Sequence, residues 1–167
     1  MILGPDKWYT VAEMIRQYIH NYLTIKPARS GVVPGAIAWD ECDCGLLAVT
    51  YDQIYPSEVF PDLLVNPSGN CDASIEAAEL VIQLIRCAPG VDDGNGPFAP
   101  SVEALDASAR EIYRDAYEVI TSSREILCQM QEDNDIYAFL LRPLTTQGPS
   151  GECVGVELRV FVGLLRG

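Results

Sequence analysis

The stretch from Val154 to Leu165 constrains the fold more than any other part of the chain. Every second position in it is aliphatic: Val154, Val156, Leu158, Val160, Val162 and Leu164. Successive side chains of a β-strand point to opposite faces, whereas no helix places six aliphatics at i, i+2 and i+4 on one side. The pattern predicts a long strand with one buried face. The turn cluster Gly148-Pro149-Ser150-Gly151 before it indicates that another strand runs back beside it.

Two amphipathic helices are predicted to cover this strand and its neighbours. The first spans residues 10–24, where Thr10 and Glu13 have the spacing of a capping box. The second begins after Ser101, a good N-cap, and places Glu103 in its first turn. It continues for about 30 residues, or about 45 Å, with a weakening or bend expected at residues 121–123. Its predicted apolar face consists of Val102, Leu105, Ala109, Ile112, Ala116, Val119, Leu127 and Met130.

Other apolar segments indicate further strands. Alternation predicts a strand at residues 46–55, and short apolar runs predict another at 136–141 and a short one at 36–39. Residues 75–87 satisfy both a helical and a strand period, so periodicity leaves that segment open. The intervening stretch 56–70 is predicted to be a long loop carrying Phe60, Leu63 and Leu64. That is more apolar surface than a solvated loop usually displays. The loop either folds back on its own core or docks on another subunit.

The charge balance excludes two classes of partner. The 167 residues, which we interpret as one domain spanning 1–167, contain 24 acidic and 11 basic residues, a net charge of -13. Such a surface repels nucleic acid and anionic membranes, because phosphate binding requires clustered Lys and Arg. No apolar run approaches the roughly 20 residues that cross a bilayer, and the N-terminus lacks the regions of a signal peptide. We therefore expect no membrane partner and a chain that folds in a cytoplasm.

The residues that carry catalytic or metal chemistry are few. The only histidine is His20, and no nucleophile elbow or phosphate-binding glycine loop occurs. A carboxylate pair remains open, although a solvated acidic turn is the commoner explanation for clustered acids. Free or later-oxidised thiols are favoured over a structural zinc site, despite the spacing of Cys42 and Cys44. The six cysteines are Cys42, Cys44, Cys71, Cys87, Cys128 and Cys153. We predict no enzymatic activity, no catalytic residue, no cofactor and no metal.

Several segments, taken in order, resemble a known family. They are W-D-E-C-D-C-G at 39–45, I-R-C-A-P at 85–89, the helix opening P-S-V-E-A-L-D-A-S-A at 100–109, and G-E-C-V-G-V-E-L at 151–158. From about Val11 to Leu165 the chain resembles the tail terminators, neck proteins of long-tailed siphovirus-type bacteriophages that infect actinobacteria. None of these segments is a chemical motif, so the resemblance depends on their order and spacing.

The resemblance implies both a fold and an assembly. The fold is α+β: a mainly antiparallel or mixed sheet of about four strands, including residues 77–87, covered by an N-terminal helix and one long central helix. The assembly is a ring of six copies at the head-tail junction of the virion, formed in the bacterial host cytoplasm. Its partners are the tail tube protein, which it caps, and the head-side stopper or connector. A stopper or other connector, a non-viral α+β binding module, and an enzyme using carboxylates are the alternative interpretations.

Two groups of residues are candidates for ring functions. DNA passes through such a ring without specific binding, and acidic walls repel phosphate within a Debye length of about 8 Å. The candidates for this channel wall are Asp40, Glu41 and Asp43, and also Glu132, Asp133 and Asp135. A ring contact joins two different patches of each subunit. For one such patch the candidates are Phe60, Leu63 and Leu64.

Overall fold

A six-stranded mixed sheet carries two helices on one of its faces. The structure, a computed structural model, describes residues 1–37, 45–64, 74–90 and 100–166. The elements are α1 (Lys7–Tyr22), β1 (Arg29–Val32), β2 (Leu46–Ser57), β3 (Ile75–Cys87), α2 (Val102–Glu132), β4 (Ala138–Leu141), β5 (Thr145–Ser150) and β6 (Cys153–Leu165). The predicted α+β class is confirmed. The sheet has six strands rather than about four.

The strand order is β1-β2-β3-β6-β4, and β5 also pairs with β6. Only the β1–β2 pair is parallel. Strand β6 pairs with β3 along its whole length and with β4 and β5 on its other side, so it lies inside the sheet. The strand predicted from its alternation is confirmed. Five of its six alternating aliphatics are buried in the core: Val156, Leu158, Val160, Val162 and Leu164.

Residues 75–87, which periodicity left open between helix and strand, form strand β3. Leu80, Ile82 and Leu84 belong to the core beneath the helices, while Val81 and Ile85 are buried on the opposite face. A strand buried on both faces is apolar at nearly every position, so its period of two disappears from the sequence. For that reason the segment also satisfied a helical pattern.

Helix α1 begins earlier than predicted and has a different cap. Thr10 lies inside the helix, and its hydroxyl donates to the carbonyl of Asp6 (3.0 Å). Both carboxylate oxygens of Glu13 accept hydrogen bonds from Arg16. The predicted capping box is wrong, because the Glu13 carboxylate that would have capped the helix is bound by Arg16, three residues later.

Helix α2 confirms its predicted start. The Ser101 hydroxyl accepts a hydrogen bond from the amide of Ala104 (3.1 Å), and Glu103 lies in the first turn. The helix runs 31 residues without interruption, so residues 121–123 do not end it. Val102 and Leu105 are exposed, and the buried stripe begins only at Ile112.

The remaining differences lie at the borders of the sheet. Residues 29–32 form β1, which was not predicted as a strand, and residues 36 and 37 of the predicted short strand are not in a strand. The strand predicted at 136–141 begins at Ala138, and β2 continues to Ser57. Gly151 and Glu152 form the turn between β5 and β6, while residues 148–150 of the predicted turn cluster belong to β5. The strand expected to run back beside β6 is confirmed.

Candidate functional site

The loop after β2, residues 58–64, contains all three predicted interface residues. It is fixed by hydrogen bonds from Tyr55 Oη to the Pro61 carbonyl (2.7 Å) and from Ser57 Oγ to the Asp62 carbonyl (2.7 Å). The Leu64 amide also donates to the carbonyl of Pro56 (3.0 Å). The loop therefore folds back on its own sheet. Leu64 is half-buried, whereas Leu63 keeps 58% of its surface exposed.

Phe60 is half-buried and packs on β6. A Cβ added at Gly163 would lie 2.9 Å from Phe60 Cδ2, so the ring occupies the space that a side chain at 163 would need. Val162 and Leu164, on either side of Gly163, belong to the core beneath the helices. Because side chains alternate along a strand, Phe60 lies on the sheet face turned away from α1 and α2. We call this the far face.

The second predicted group lies in the turn between α2 and β4. Glu132 ends the helix, Asp133 is its C-cap, and Asp135 lies 3.2 Å from the N-terminal amine of Met1. The last helical turn contains no basic residue, although the C-terminal end of a helix carries partial negative charge and disfavours acids. The other channel candidates, Asp40, Glu41 and Asp43, lie outside the described residues.

The structure brings the acidic turn and the apolar loop to the same end of the molecule. The amide of Tyr137, just after the acidic turn, donates to the carbonyl of Gly163 (2.7 Å). The same glycine contacts Phe60. The 58–64 loop and the turn that contains Glu132, Asp133 and Asp135 thus both adjoin the C-terminal end of β6.

A polar network on the far face was not predicted from the sequence. The Arg159 guanidinium lies 3.1 Å from Glu157, 3.2 Å from Glu79 and 3.4 Å from Asp52. The hydrogen bond to Glu79, together with that to Glu157, raises the pKa of Arg159 despite partial burial. The sequence could have indicated this network, because Glu157 and Arg159 alternate with buried aliphatics and therefore lie on the same face of the strand.

A buried ion pair joins β3 to α2. Arg86 donates through Nε and Nη2 to the two carboxylate oxygens of Asp115 (2.8 and 2.9 Å), and Nη2 also donates to the carbonyl of Ile25 (2.7 Å). Asp115 has no exposed surface. The sequence signal was the position of Asp115 three residues after Ile112 and four before Val119, on the buried stripe of α2.

Glu118 attaches the connection between α1 and β1 to α2. Its carboxylate, almost fully buried, accepts hydrogen bonds from the amide of Thr24 (2.9 Å) and from the Thr24 hydroxyl. Together with the Arg86 bond to Ile25, this contact fixes residues 24 and 25. These buried polar groups are therefore used within the fold.

The outward side of α2 carries a stripe that sequence reasoning missed. Tyr113 and Tyr117 are 68% and 67% exposed, and Ile120 follows at the same helical spacing. Arg110, Arg114 and Arg124 are exposed among them. We call these six residues the α2 ridge: Arg110, Tyr113, Arg114, Tyr117, Ile120 and Arg124.

The described cysteines are in two states. Cys128 is a free, exposed thiol, whereas Cys87 and Cys153 are disulfide-bonded, and the sequence had left both states open. They end β3 and begin β6 and are register partners in the sheet. Cys42, Cys44 and Cys71 lie outside the described residues. Within the described ranges, no three His, Cys, Asp or Glu side chains are grouped to hold a metal.

No helix in the described ranges is long and apolar enough to cross a bilayer.

Comparison of the sequence with protein-family models and with curated proteins finds no match to either.

Proposed function

We propose that the chain is a structural virion protein that forms a ring of six copies at the head-tail junction of a long-tailed bacteriophage. In this proposal the ring caps the tail tube, joins it to the head-side connector and leaves a channel for DNA. The observation that carries the proposal is the fold. A mixed sheet covered on one face by an N-terminal helix and one long central helix is what the resemblance implies and what the chain has.

The acidic turn supports the channel part of this proposal. Glu132 and Asp133 lie at the negative end of a 31-residue helix, where a basic residue would stabilise the fold by about 0.3–1 kcal/mol. Acids at this position weaken the helix, so a function outside the fold accounts for them better than stability does. Repulsion of DNA phosphates by a channel wall is such a function.

The disulfides also fit a virion component. Disulfides persist in oxidising surroundings, which include the surfaces of virions outside the cell. Cys87, at the end of β3, and Cys153, at the start of β6, are both disulfide-bonded. A particle that survives between hosts benefits from such covalent links, because they restrict the unfolded chain.

We assign no reaction and no cofactor to the chain in this proposal. The buried carboxylates of Asp115 and Glu118 are occupied by Arg86 and Thr24, as expected of groups that hold elements together. The exposed apolar residues Val59 and Leu63 are suited to contact other proteins. The partners in this role are further copies, the tail tube protein and the head-side connector.

The location of the protein in the virion tests the proposal. Gold-labelled antibody against the chain is expected at the junction between capsid and tail in electron micrographs. Labelling of the capsid shell, of the tail tip, or of no particle at all would refute a neck role.

Particles made without the gene separate a terminator from a stopper. Loss of a cap leaves the tube free to keep adding subunits, so tails of irregular length and no joined heads are expected. Tails of normal length beside heads that have lost their DNA would instead indicate the stopper role.

A further inference from the structure

We propose that copies of this chain join head to tail, with the α2 ridge of one copy seated on the 58–64 loop of the next. This inference rests on the proposed ring and names the two surfaces that build it. The partner at both surfaces is a second copy of the same chain.

The α2 ridge has the composition of a protein-protein contact. Tyr113 and Tyr117 are both about two-thirds exposed on a regular helix, and Ile120 extends the same stripe. Tyrosine and arginine are enriched where binding energy concentrates, because both combine a large apolar area with a hydrogen-bonding end. Arg114 and Arg124 add exposed positive charge to the stripe in a chain of net charge -13, whereas Arg110 is paired with Asp106 (2.8 Å).

The 58–64 loop has the complementary composition. Val59 and Leu63 are 69% and 58% exposed, and the acids Glu58 and Asp62 are exposed beside them. The aliphatic pair matches the tyrosines of the ridge, and the acids match its arginines. The loop is held rigid by three hydrogen bonds to β2, so little conformational freedom is lost when it binds.

The positions of the two surfaces exclude a contact within one copy. Helix α2 covers one face of the sheet, while Phe60 anchors the loop to the far face. Each surface must therefore find its complement on another molecule. Contacts between two different patches are heterologous, and they close into rings when the rotation between copies permits.

The charges also disfavour the competing symmetric contacts. A ridge against a ridge brings together Arg114 and Arg124 from both copies, and a loop against a loop brings together Glu58 and Asp62. Like charges placed opposite each other oppose association, whereas the ridge-to-loop contact pairs opposite signs. The arrangement therefore favours the head-to-tail dimer over both two-fold dimers.

Charge exchange across the contact tests the inference. A ridge variant carries Arg114→Glu and Arg124→Glu, and a loop variant carries Glu58→Arg and Asp62→Arg. Native mass spectrometry of the full chain at high concentration is expected to show rings for the wild type and monomers for each variant alone. An equimolar mixture of the two is expected to reassemble with alternating 1:1 composition. One chain with all four substitutions, whose net charge is unchanged, is expected to form rings again.

Matched controls separate this contact from general charge effects and from misfolding. Reversal of Glu103 and Glu152, exposed acids outside both surfaces, changes the net charge as the loop variant does and is expected to leave the rings intact. Circular dichroism and thermal unfolding confirm that each variant is folded. Assembly of the mixture is itself evidence that both variants fold.

Several results would overturn the inference. The inference is wrong if the wild-type chain stays monomeric up to its solubility limit, or if rings survive both charge reversals. Binding of duplex DNA that the ridge variant loses, without a change in assembly, assigns the ridge to nucleic acid instead. If the substitutions do not affect the rings, the inference is wrong but the proposed neck role is unaffected. If the rings respond as expected but the protein is absent from the neck, only the neck role is wrong.

Discussion

Asp115 joins α2 to the sheet through its buried ion pair with Arg86 of β3. It is fully buried, and it neutralises an arginine that is itself almost without exposure. Removing one member of such a pair leaves the other charge buried and unpaired, which is far more costly than losing an exposed ion pair. Sequence patterns assign charged residues to solvent, so this pair was not predicted, although the helical period placed Asp115 on the buried stripe.

We expect Asp115→Ala to lower the free energy of unfolding by about 3–5 kcal/mol, because Arg86 loses its buried, doubly bonded partner and keeps only the partly exposed Glu111 at 3.3 Å. Urea unfolding followed by circular dichroism measures the change. The double variant Arg86→Met with Asp115→Leu replaces both charges by apolar groups and is expected to lose less stability than the single variant. A single variant as stable as the wild type would contradict the importance of the pair.

Gly163 offers a second test at this scale. Gly163→Ala places a methyl group against the Phe60 ring and is expected to lower stability by about 1–3 kcal/mol, the usual effect of overpacking. The effect of Gly163→Ala is expected to shrink in a Phe60→Leu background, because the smaller side chain leaves room. A double-mutant cycle from chemical unfolding gives this coupling, and additive effects would show that the two residues do not touch.

Among the elements, β6 and α2 could be predicted and the sheet borders could not. The alternation of β6 and the Ser101 cap of α2 are local signals, and the structure confirms both. Strand β1 has only four residues, and residues 29–32 acquire strand geometry by pairing with β2 rather than from their own pattern. Such a strand depends on a partner distant in sequence, which no local period records.

A change of charge at the C-terminal end of α2 is expected to have opposite effects on the stability of the fold and on the function of the phage. Glu132→Lys with Asp133→Lys is expected to raise the free energy of unfolding by about 0.3–1 kcal/mol per site, since cations suit that end of the helix dipole. Thermal unfolding measures this gain. If the turn lines the DNA channel, the same variant is expected to lower the infectivity of assembled phage. Unchanged infectivity would remove these residues from the channel wall.

The attachment of α1 to the sheet is expected to depend on pH through Glu76. Its carboxylate accepts hydrogen bonds from Lys7 Nζ (2.7 Å) and Trp8 Nε1 (2.8 Å). Burial alone would raise the pKa of Glu76, but these bonds and the Lys7 charge outweigh burial and hold the pKa below its ordinary value of 4.5. A lowered pKa stabilises the fold above about pH 4.5, and this contribution is lost as the pH falls through the folded value.

We therefore expect Glu76→Gln to reduce stability at pH 7 by about 1 kcal/mol and to flatten the loss of stability below pH 4.5. Unfolding midpoints measured from pH 3 to pH 7 check both expectations. Glu152→Gln serves as the control, because Glu152 is exposed and lies outside both proposed contact surfaces. Parallel pH profiles for the wild type and Glu76→Gln would contradict the role of Glu76.

For the whole molecule, the family resemblance implied the α+β class and the composition indicated a single acidic domain, but neither showed which surfaces remain uncovered. The predicted interface residues divide: Phe60 and Leu64 pack on their own sheet, while Leu63 faces solvent. Apolar content alone cannot make this distinction, because it depends on Gly163, about a hundred positions further along the chain. The α2 ridge was missed for the opposite reason, since its tyrosines occupy the polar side of the helical pattern.

Reduction tests the contribution of the disulfides to the whole fold. Thermal unfolding with a strong reductant is expected to show a lower midpoint than without it, by an amount equivalent to about 2–4 kcal/mol for a bridge. Mass spectrometry after alkylation counts the thiols in each state. Cys128→Ser is the control and is expected to leave both midpoints unchanged, because that thiol is free. Equal midpoints in both conditions would show that the bridges add no stability.

The fit of the Phe60 ring over the bare backbone at Gly163 has an evolutionary consequence. Two positions distant in sequence share one volume on the far face, so neither can change size freely. Among descendants of this gene, we expect covariation: where residue 163 gains a side chain, residue 60 becomes smaller. A lineage that enlarged 163 but retained phenylalanine at 60 would have to swing the ring outwards and redraw the surface that the loop presents to its neighbours.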